Sequence, residues 1–438
     1  MKKICVIGLG YIGLPTSAMF ANSGIKVVGV DVSKNVVDTL NKGKMHIEEP
    51  GLDIYVKEMV ESGMFRAQLE PEEADAFIIA VPTPNKDNEY RGCDLSYVID
   101  ATKAILPYLK NDDLVIIEST IAPRTIDDVI KPLIEEAGFV VGQDVYLAHC
   151  PERVLPGQII REMVENNRIC GGYTRACAEK AAELYRNFVK GEIILTDAKT
   201  AEMSKLMENT FRDVNIALAN ELAKICNYLD INVLDVIEMA NKHPRVNIHW
   251  PGPGVGGHCL AVDPYFIVDK APELSKIIAL SRATNNSMPH FVVENVEKIL
   301  SKINNPKIAV FGLTYKGNID DMRESPAMEV VELLKDRGYN LVLHDPHVEN
   351  EEIELVDFET AIEGADLILI LADHNEFKYM DLSLIENKMR TPYIFDTKNV
   401  VKNINHIKLS SNTLDEVAVT SNHSVTYINY GNLYKFVK

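Results

Sequence analysis

The sequence predicts an α/β protein: two doubly wound parallel-sheet domains joined by a helical segment with one long central helix. Three observations predict it. An apolar strand breaks into a glycine-rich turn at Gly8, the same pattern restarts near Lys307, and the stretch between them holds a glycine-poor run with helical periodicity. A chain of 438 residues is also too long for one hydrophobic core. The divisions are drawn at 1–196, 197–300 and 301–438.

Residues 3–31, KICVIGLGYIGLPTSAMFANSGIKVVGVD, begin with a buried strand and break at Gly8, Gly10 and Gly13. They continue through a helix and end a second strand at Asp31. This is the Rossmann-like dinucleotide arrangement: glycines allow the tight turn, a helix N-terminus faces the pyrophosphate, and a carboxylate meets the ribose diol. Asp31 would repel a 2′-phosphate, so NAD is expected rather than NADP. Further strands are read at 76–84, 114–120 and 145–152, with helices near 95–110 and 125–137. Thr83, Thr120 and Glu152 fall at strand ends, where such sheets hold ligands. Each could equally cap the element that follows.

The middle stretch, AEMSKLMENTFRDVNIALANELAKICNYL, contains no glycine or proline and reads as one long helix. Lys205, Asn209 and Arg212 recur at helical spacing on one face, which is either functional or a solvated stripe. From Lys307 the α/β pattern resumes, but the turn Gly312–Gly317 lacks the full fingerprint. A second nucleotide site that is not a dinucleotide site is therefore expected.

The loop GPGVGGHC, 252–259, ends in a cysteine. Cys5 and Cys226 fall within regular elements, as inert thiols do. Cys259 follows glycines that remove side-chain bulk, which marks it as a candidate nucleophile. His258 adjoins it, but a dyad needs spatial rather than sequential adjacency. Asp263 could orient a water or a lysine, or cap a turn before Pro264. NAD and a nucleophilic cysteine together suggest oxidation of an alcohol to an aldehyde, capture as a thiohemiacetal, oxidation to a thioester and hydrolysis to an acid.

With 46% hydrophobic and 25% charged residues the composition is that of a soluble globular protein. No apolar run approaches the ~18 residues that span a bilayer, and the N-terminus turns glycine-rich too early for a signal peptide. No membrane partner and a cytoplasmic location are expected. Against 45 basic residues stand 64 acidic ones, a net charge of −19, which argues against a nucleic-acid partner. Seven scattered cysteines without a C-x-x-C pair argue against a disulfide framework or a zinc site, so no metal is expected.

GLGYIGLP, EPGL at 49–52, VPTP at 81–84, EST at 118–120, PER at 151–153, Lys205 with Asn209, GPGVGGHC with Asp263, and FGLTYKGNIDDMRESP at 311–326 together resemble the UDP-glucose/GDP-mannose dehydrogenase family over nearly the whole chain. The resemblance implies NAD-dependent, four-electron oxidation of the C6 alcohol of a nucleotide sugar. HCPERVLPG at 149–157 and VGGHCLAVDPYF at 255–266 look most like the branch acting on UDP-N-acetyl-D-mannosamine; UDP-N-acetylglucosamine and UDP-glucose are the alternatives.

The resemblance makes Cys259 the nucleophile, Lys205 the cation beside the C6 oxygen, and Asn209 a neutral donor. Glu152 and Asp263 would handle protons or water, and Thr120 would sit beside the nicotinamide. Tyr11 and Ile12 would offer main-chain groups to NAD, with Thr83 and Arg323 near it. Arg153, Val154, Arg212 and Gly256 would lie near the sugar or phosphate, and Tyr315, Lys316 and Lys398 would hold the UDP portion. His243 and Arg245 would act on a neighbouring subunit's site, in a homodimer or a dimer of dimers. A two-electron hydroxyacid dehydrogenase or an NAD-sensing regulator would leave the second α/β domain and GPGVGGHC without a task.

Overall fold

The computed structural model describes residues 1–155, 157–350, 352–404 and 425–437. The chain divides into two units: Met1–Glu208 with Tyr265–Leu274, and Asn209–Pro264 with Ser275–Lys438.

The first unit holds β1 (Lys3–Ile7), β2 (Lys26–Val30), β3 (Phe65–Gln68), β4 (Ala76–Ile79), β5 (Leu114–Ile117), β6 (Tyr146–His149), β7 (Arg168–Gly172) and β8 (Ile193–Asp197). They form one sheet in the order β3-β2-β1-β4-β5-β6-β7-β8. The order reverses between β1 and β4, the kind of crevice where such sheets bind ligands. Both faces are apolar, as a helix-covered parallel sheet requires. Val6, Ile78 and Ile116 serve one core, while Cys5, Phe77 and Val115 serve the other.

β7 pairs antiparallel with β6 and parallel with β8, a departure from the all-parallel expectation. An antiparallel neighbour needs no crossover passing over the sheet, and the one helix between β6 and β7 among the described residues is the short Ile159–Glu165. A Cβ on Gly172 would lie 2.2 Å from the Ala178 nitrogen, so the helix Arg175–Tyr185 rests on the strand backbone itself.

β4, β5 and β6 end earlier than the sequence patterns predict, at Ile79, Ile117 and His149. Prolines 82 and 84 after β4 and Pro151 after β6 cannot donate to a ladder, and after β5 the Ser119 hydroxyl turns onto Val81 O. Thr83, Thr120 and Glu152 consequently stand in loops just past the strands. The stretch near 125–137 opens with a π-helical turn, Ile126–Ile130, before the helix Lys131–Glu136. The glycine-free run is one helix of 31 residues, Ala198–Tyr228. No helix among the described residues is long and apolar enough to cross a membrane.

The second unit's strands, β9 (Lys307–Phe311), β10 (Asn340–His344), β11 (Leu367–Ile370), β12 (Tyr393–Asp396) and β13 (Thr426–Asn429), run parallel in the order β10-β9-β11-β12-β13. Ile308, Val310 and Leu369 pack with Val293, Val296 and Val330; Ala309, Phe311 and Ile370 pack with Ile362, Phe377 and Ile385.

Gly172→Ala forces a Cβ into the Ala178 backbone and is expected to cost about 2 kcal/mol by overpacking, read as a lower denaturant midpoint. An unmoved midpoint would show that strand and helix can part without penalty.

Candidate active site

In the first unit the β1 turn is built by close approach. Gly8 has φ +90°, and a Cβ there would lie 2.4 Å from the Ala80 carbonyl oxygen; on Gly13 it would lie 1.8 Å from the Gly8 oxygen. At Gly10 a Cβ would meet nothing within 4 Å, leaving the surface a pyrophosphate needs. Half-buried Ile12 and exposed Tyr11 precede the helix Gly13–Asn22. Asp31 accepts from Leu9 N (3.1 Å) and Ser33 N (2.9 Å), which fixes its half-buried carboxylate beside the turn. These residues fit a dinucleotide.

The loops after β4 and β5 are stitched together. Ser119 Oγ accepts from Val81 N at 2.9 Å and donates to Val81 O at 2.8 Å, and Thr83 Oγ1 donates to Thr120 O at 2.7 Å. Thr83 and Thr120 are therefore neighbours.

Glu152 is held by Arg168, a residue that the sequence reading did not single out. The buried guanidinium binds Glu118 and Glu152 and lies 3.9 Å over the Tyr185 ring. Tyr185 Oη and Thr16 Oγ1 donate to Glu118 at 2.9 and 3.0 Å. Burial pushes the Glu118 carboxyl up, against the pull of Arg168. The signal in the sequence was an arginine opening an otherwise apolar strand, RICGG. Arg153 donates to Glu208 at 2.7 Å, and Val154 packs on the core of this unit.

His149 is fully buried. Its Nδ1 lies 2.8 Å from Ile117 O, and its Nε2 has no hydrogen-bond partner among the described residues. Burial holds its pKa down to about 3. Glu202 anchors the loop after Thr120 to the long helix by accepting from Arg124 N (2.6 Å) and Ile126 N (2.8 Å), and burial pushes its carboxyl up to about 7. Lys205, one turn further along, is half-buried.

In the second unit, Cys259 is exposed, whereas the other six cysteines are buried. Its carbonyl accepts from Val262 N and Asp263 N at 3.1 and 2.9 Å. Asp263 is 3% exposed and accepts from Asn209 Nδ2 at 2.6 Å. Three residues chosen from the sequence thus meet: Cys259, Asp263 and Asn209.

The glycines of the loop serve packing. A Cβ on Gly256 would lie 2.3 Å from Glu324 O and one on Gly257 2.7 Å from the Tyr315 ring, so protein fills the room they leave. His258 Nδ1 lies 3.8 Å from Asp321, which also binds the Arg323 side chain, so its imidazole faces a carboxylate. Arg212, His243, Arg245 and Lys316 are exposed, and Tyr315 is half-buried. Lys398 Nζ is 3.6 Å from Asp373, and its side chain comes within 3.8 Å of a Cβ built on Gly252.

The second glycine turn copies the first. Gly312 (φ +85°) donates to His344 O at 2.9 Å as Gly8 donates to Val30 O at 2.8 Å, and Leu313 N reaches Asp345 at 2.7 Å as Leu9 N reaches Asp31. Asp345, however, is 7% exposed and also binds His374 Nε2 at 3.1 Å, so it is not free for a ribose diol. His347, His374 and Glu376 cluster within 4.8 Å, yet Asn318 N occupies the other His374 nitrogen, so we infer no metal site there.

Models of the UDP-glucose/GDP-mannose dehydrogenase family match the chain in three parts: the NAD binding domain over residues 2–189, the central domain over 199–287 and the UDP binding domain over 309–403. The chain is 49% identical over 409 residues to the UDP-N-acetyl-D-mannosamine dehydrogenase of Methanococcus maripaludis, covering 92% of this chain and 94% of that one. It is 47% identical over 412 residues to the NDP-N-acetyl-D-galactosaminuronic acid dehydrogenase of Ralstonia nicotianae, covering 91% and 96%. A solved UDP-N-acetyl-mannosamine dehydrogenase from Staphylococcus aureus superposes with TM-score 0.89 at 55% identity, covering 99% and 100%.

The depressed pKa of His149 has a consequence for stability. The unfolded imidazole takes up a proton near pH 6.5 and the folded one only near 3, so its contribution is full above 6.5 and is lost as pH falls toward 3. The slope approaches ~1.4 kcal/mol per pH unit. His149→Gln should remove that slope from the unfolding free energy between about pH 6 and pH 5; parallel curves for wild type and variant would refute the assignment.

Proposed function

The chain belongs to the UDP-glucose/GDP-mannose dehydrogenase family, and from that premise we propose that it oxidises the C6 alcohol of UDP-N-acetyl-D-mannosamine to the carboxylate, with NAD as acceptor. The observation that carries the reading is a lone exposed thiol whose backbone is tied to Asp263 and, through it, to Asn209, in a chain that also has a dinucleotide turn. The alcohol, two NAD⁺ and one water would give the carboxylate, two NADH and three protons. Bound NAD would accept a hydride from C6 in each oxidation.

Cys259 thiolate would add to the aldehyde, and the thiohemiacetal so formed would become a thioester when C6 loses its second hydride. Water would then release the acid and return the thiol. Lys205 would place a fixed cation beside the C6 oxygen where negative charge develops, and Asn209 would donate to the same oxygen or to a water. Glu152, pinned by Arg168, and Asp263, pinned by Asn209, would accept protons or direct the water. Thr83 and Thr120 would face the nicotinamide end of NAD, and Asp31 the ribose, with Arg323 also near the cofactor.

Arg153, Val154, Arg212 and Gly256 would lie near the sugar or phosphate. Tyr315, Lys316 and Lys398 would hold the UDP portion, supplying local positive charge in a protein of net charge −19. The work would divide among segments 1–196, 197–300 and 301–438, in the cytoplasm, where unpaired thiols stay reduced.

The sugar assignment leans on HCPERVLPG and on the names of the closely matching relatives. A galacto-configured sugar is the second reading, favoured by the Ralstonia relative. We further propose a homodimer. Phe211 and Tyr228 on the long helix are 62% and 85% exposed, and Ile277 and Leu280 stand bare on the helix Lys276–Asn286, an apolar surface suited to a second copy. His243 and Arg245 would then serve the partner's site.

At full conversion of limiting UDP-N-acetylmannosamine, two NADH per sugar are expected, with less turnover of UDP-N-acetylglucosamine, UDP-N-acetylgalactosamine and UDP-glucose. One NADH would demote Cys259 to a structural thiol, and none from any sugar would refute the substrate class. Cys259→Ala should lose turnover and keep NADH binding, while Arg245→Ala should lower activity. Mixing the two variants should restore part of it; no restoration would dismiss the shared site.

A further inference from the structure

Asn220, on the long helix, accepts from the Gly252 backbone N–H through Oδ1 at 2.9 Å and donates through Nδ2 to Asn285 Oδ1 at 2.8 Å. Asn285 Nδ2 donates to Asp213 Oδ1 at 2.8 Å and to Asp213 O at 3.1 Å. Asp213 Oδ1 also accepts from Arg282 Nη1 at 2.6 Å. Asp213 and Asn220 are 0% exposed and Asn285 1%, so the relay is closed off from bulk solvent.

The chain has one direction. Asp213 Oδ1 receives N–H groups from Arg282 and Asn285 and therefore acts only as an acceptor. That forces the Asn285 NH₂ toward Asp213 and its oxygen toward Asn220. The Asn220 NH₂ must then face Asn285, which turns its oxygen onto Gly252. A backbone N–H is only a donor, so both ends of the relay demand the same arrangement. On the other side of Gly252, Tyr430 Oη donates to its carbonyl at 3.2 Å, so both polar groups of this residue are held.

Gly252 opens the loop that ends in Cys259. Beyond it, the loop is wedged against Pro326 at Gly254 and Tyr315 at Gly257. Its far end is tied by the Cys259 carbonyl.

We propose that Asp213, Asn285 and Asn220 form a one-way hydrogen-bond relay that sets the entry of the Gly252–Cys259 loop, and that they are positioning residues for Cys259. The proposal rests on Cys259 being the nucleophile and adds what holds its loop in register.

Asn220→Asp is the discriminating variant. A carboxylate at 220 can still accept from Gly252, but its second oxygen meets the Asn285 oxygen; turning Asn285 over sets that oxygen against Asp213 instead. A protonated carboxyl has the donor and acceptor of the amide in nearly the same shape, so lowering the pH should rebuild the relay. The other titratable groups nearby are unchanged in the variant: Asp213 and Arg282 at the inner end, Tyr430 and Lys398 at Gly252, and Asp373 behind Lys398.

The experiment follows kcat, the KM for NAD and the rate of Cys259 alkylation by iodoacetamide from about pH 8 to about pH 5.5, each as a ratio to wild type at the same pH. For Asn220→Asp the kcat and alkylation ratios should return toward one as pH falls, rising by about tenfold, while the KM ratio stays near one. Asn220→Leu, which can make neither bond, should lose about 100-fold in kcat at every pH. A pH-independent Asn220→Asp ratio, or Asn220→Leu within about twofold of wild type, overturns the proposal. Retained NADH binding shows that the variants fold; if Asn220→Leu does not, the pH ratio of Asn220→Asp alone decides. If wild type turns over no nucleotide sugar, the functional reading fails separately, and the alkylation ratio still tests the relay.

Discussion

One guanidinium organises the first unit. Arg168 on β7 binds Glu118 just past β5 and Glu152 just past β6, donates to Cys150 O at 3.3 Å, and stacks on Tyr185. Through Thr16 and Glu118 the same cluster reaches the helix after the glycine turn. Taking these charges out of water is costly, and the cost is offset only if every partner is in place. The ends of three strands and two helices are thereby locked into one arrangement. That arrangement decides where Glu152 points, and explains how a loop residue can be aimed without long secondary structure of its own.

The second unit meets a similar need with a different layout. Asp213 and Arg282 form its buried pair, 0% and 2% exposed, and their charge is passed outward through neutral amides rather than through a second carboxylate. The first cluster ends on a carboxylate; the other ends on a backbone N–H. Two of the side chains that the sequence marked for chemistry rest on such buried support, Glu152 on Arg168 and Asp263 on Asn209, and Thr83 is tied to Thr120 O. The support comes from residues far away in sequence.

That separation explains what could be read in advance. The strand–turn–helix at Gly8–Asp31, the restart at Lys307 and the helix Ala198–Tyr228 are written in local periodicity and were legible. That Cys259 stands apart from the buried thiols was legible as well, because a thiol after four glycines breaks the usual placement of structural cysteines. Arg168 went unread: the apolar strand that it opens is a local sign of burial, but the partners that give it a task lie 50 and 16 residues away. The task of Gly256 and Gly257 was hidden for the same reason, since the bulk they avoid belongs to Tyr315 and Glu324. The reversal at β7 escaped because strand direction is a property of neighbours, not of any one strand.

The three glycines of the first turn look alike as letters, but they answer to different demands. At Gly8 and Gly13 a methyl would collide with the protein's own backbone, so the fold itself forbids it. At Gly10 the same methyl would meet open space, and the chain alone has no objection. Two of the three are rules of folding and one is a rule of occupancy, kept on behalf of a guest. A fingerprint used to recognise nucleotide sites is thus mostly a record of how the strand turns, and only its middle glycine speaks directly of what is bound.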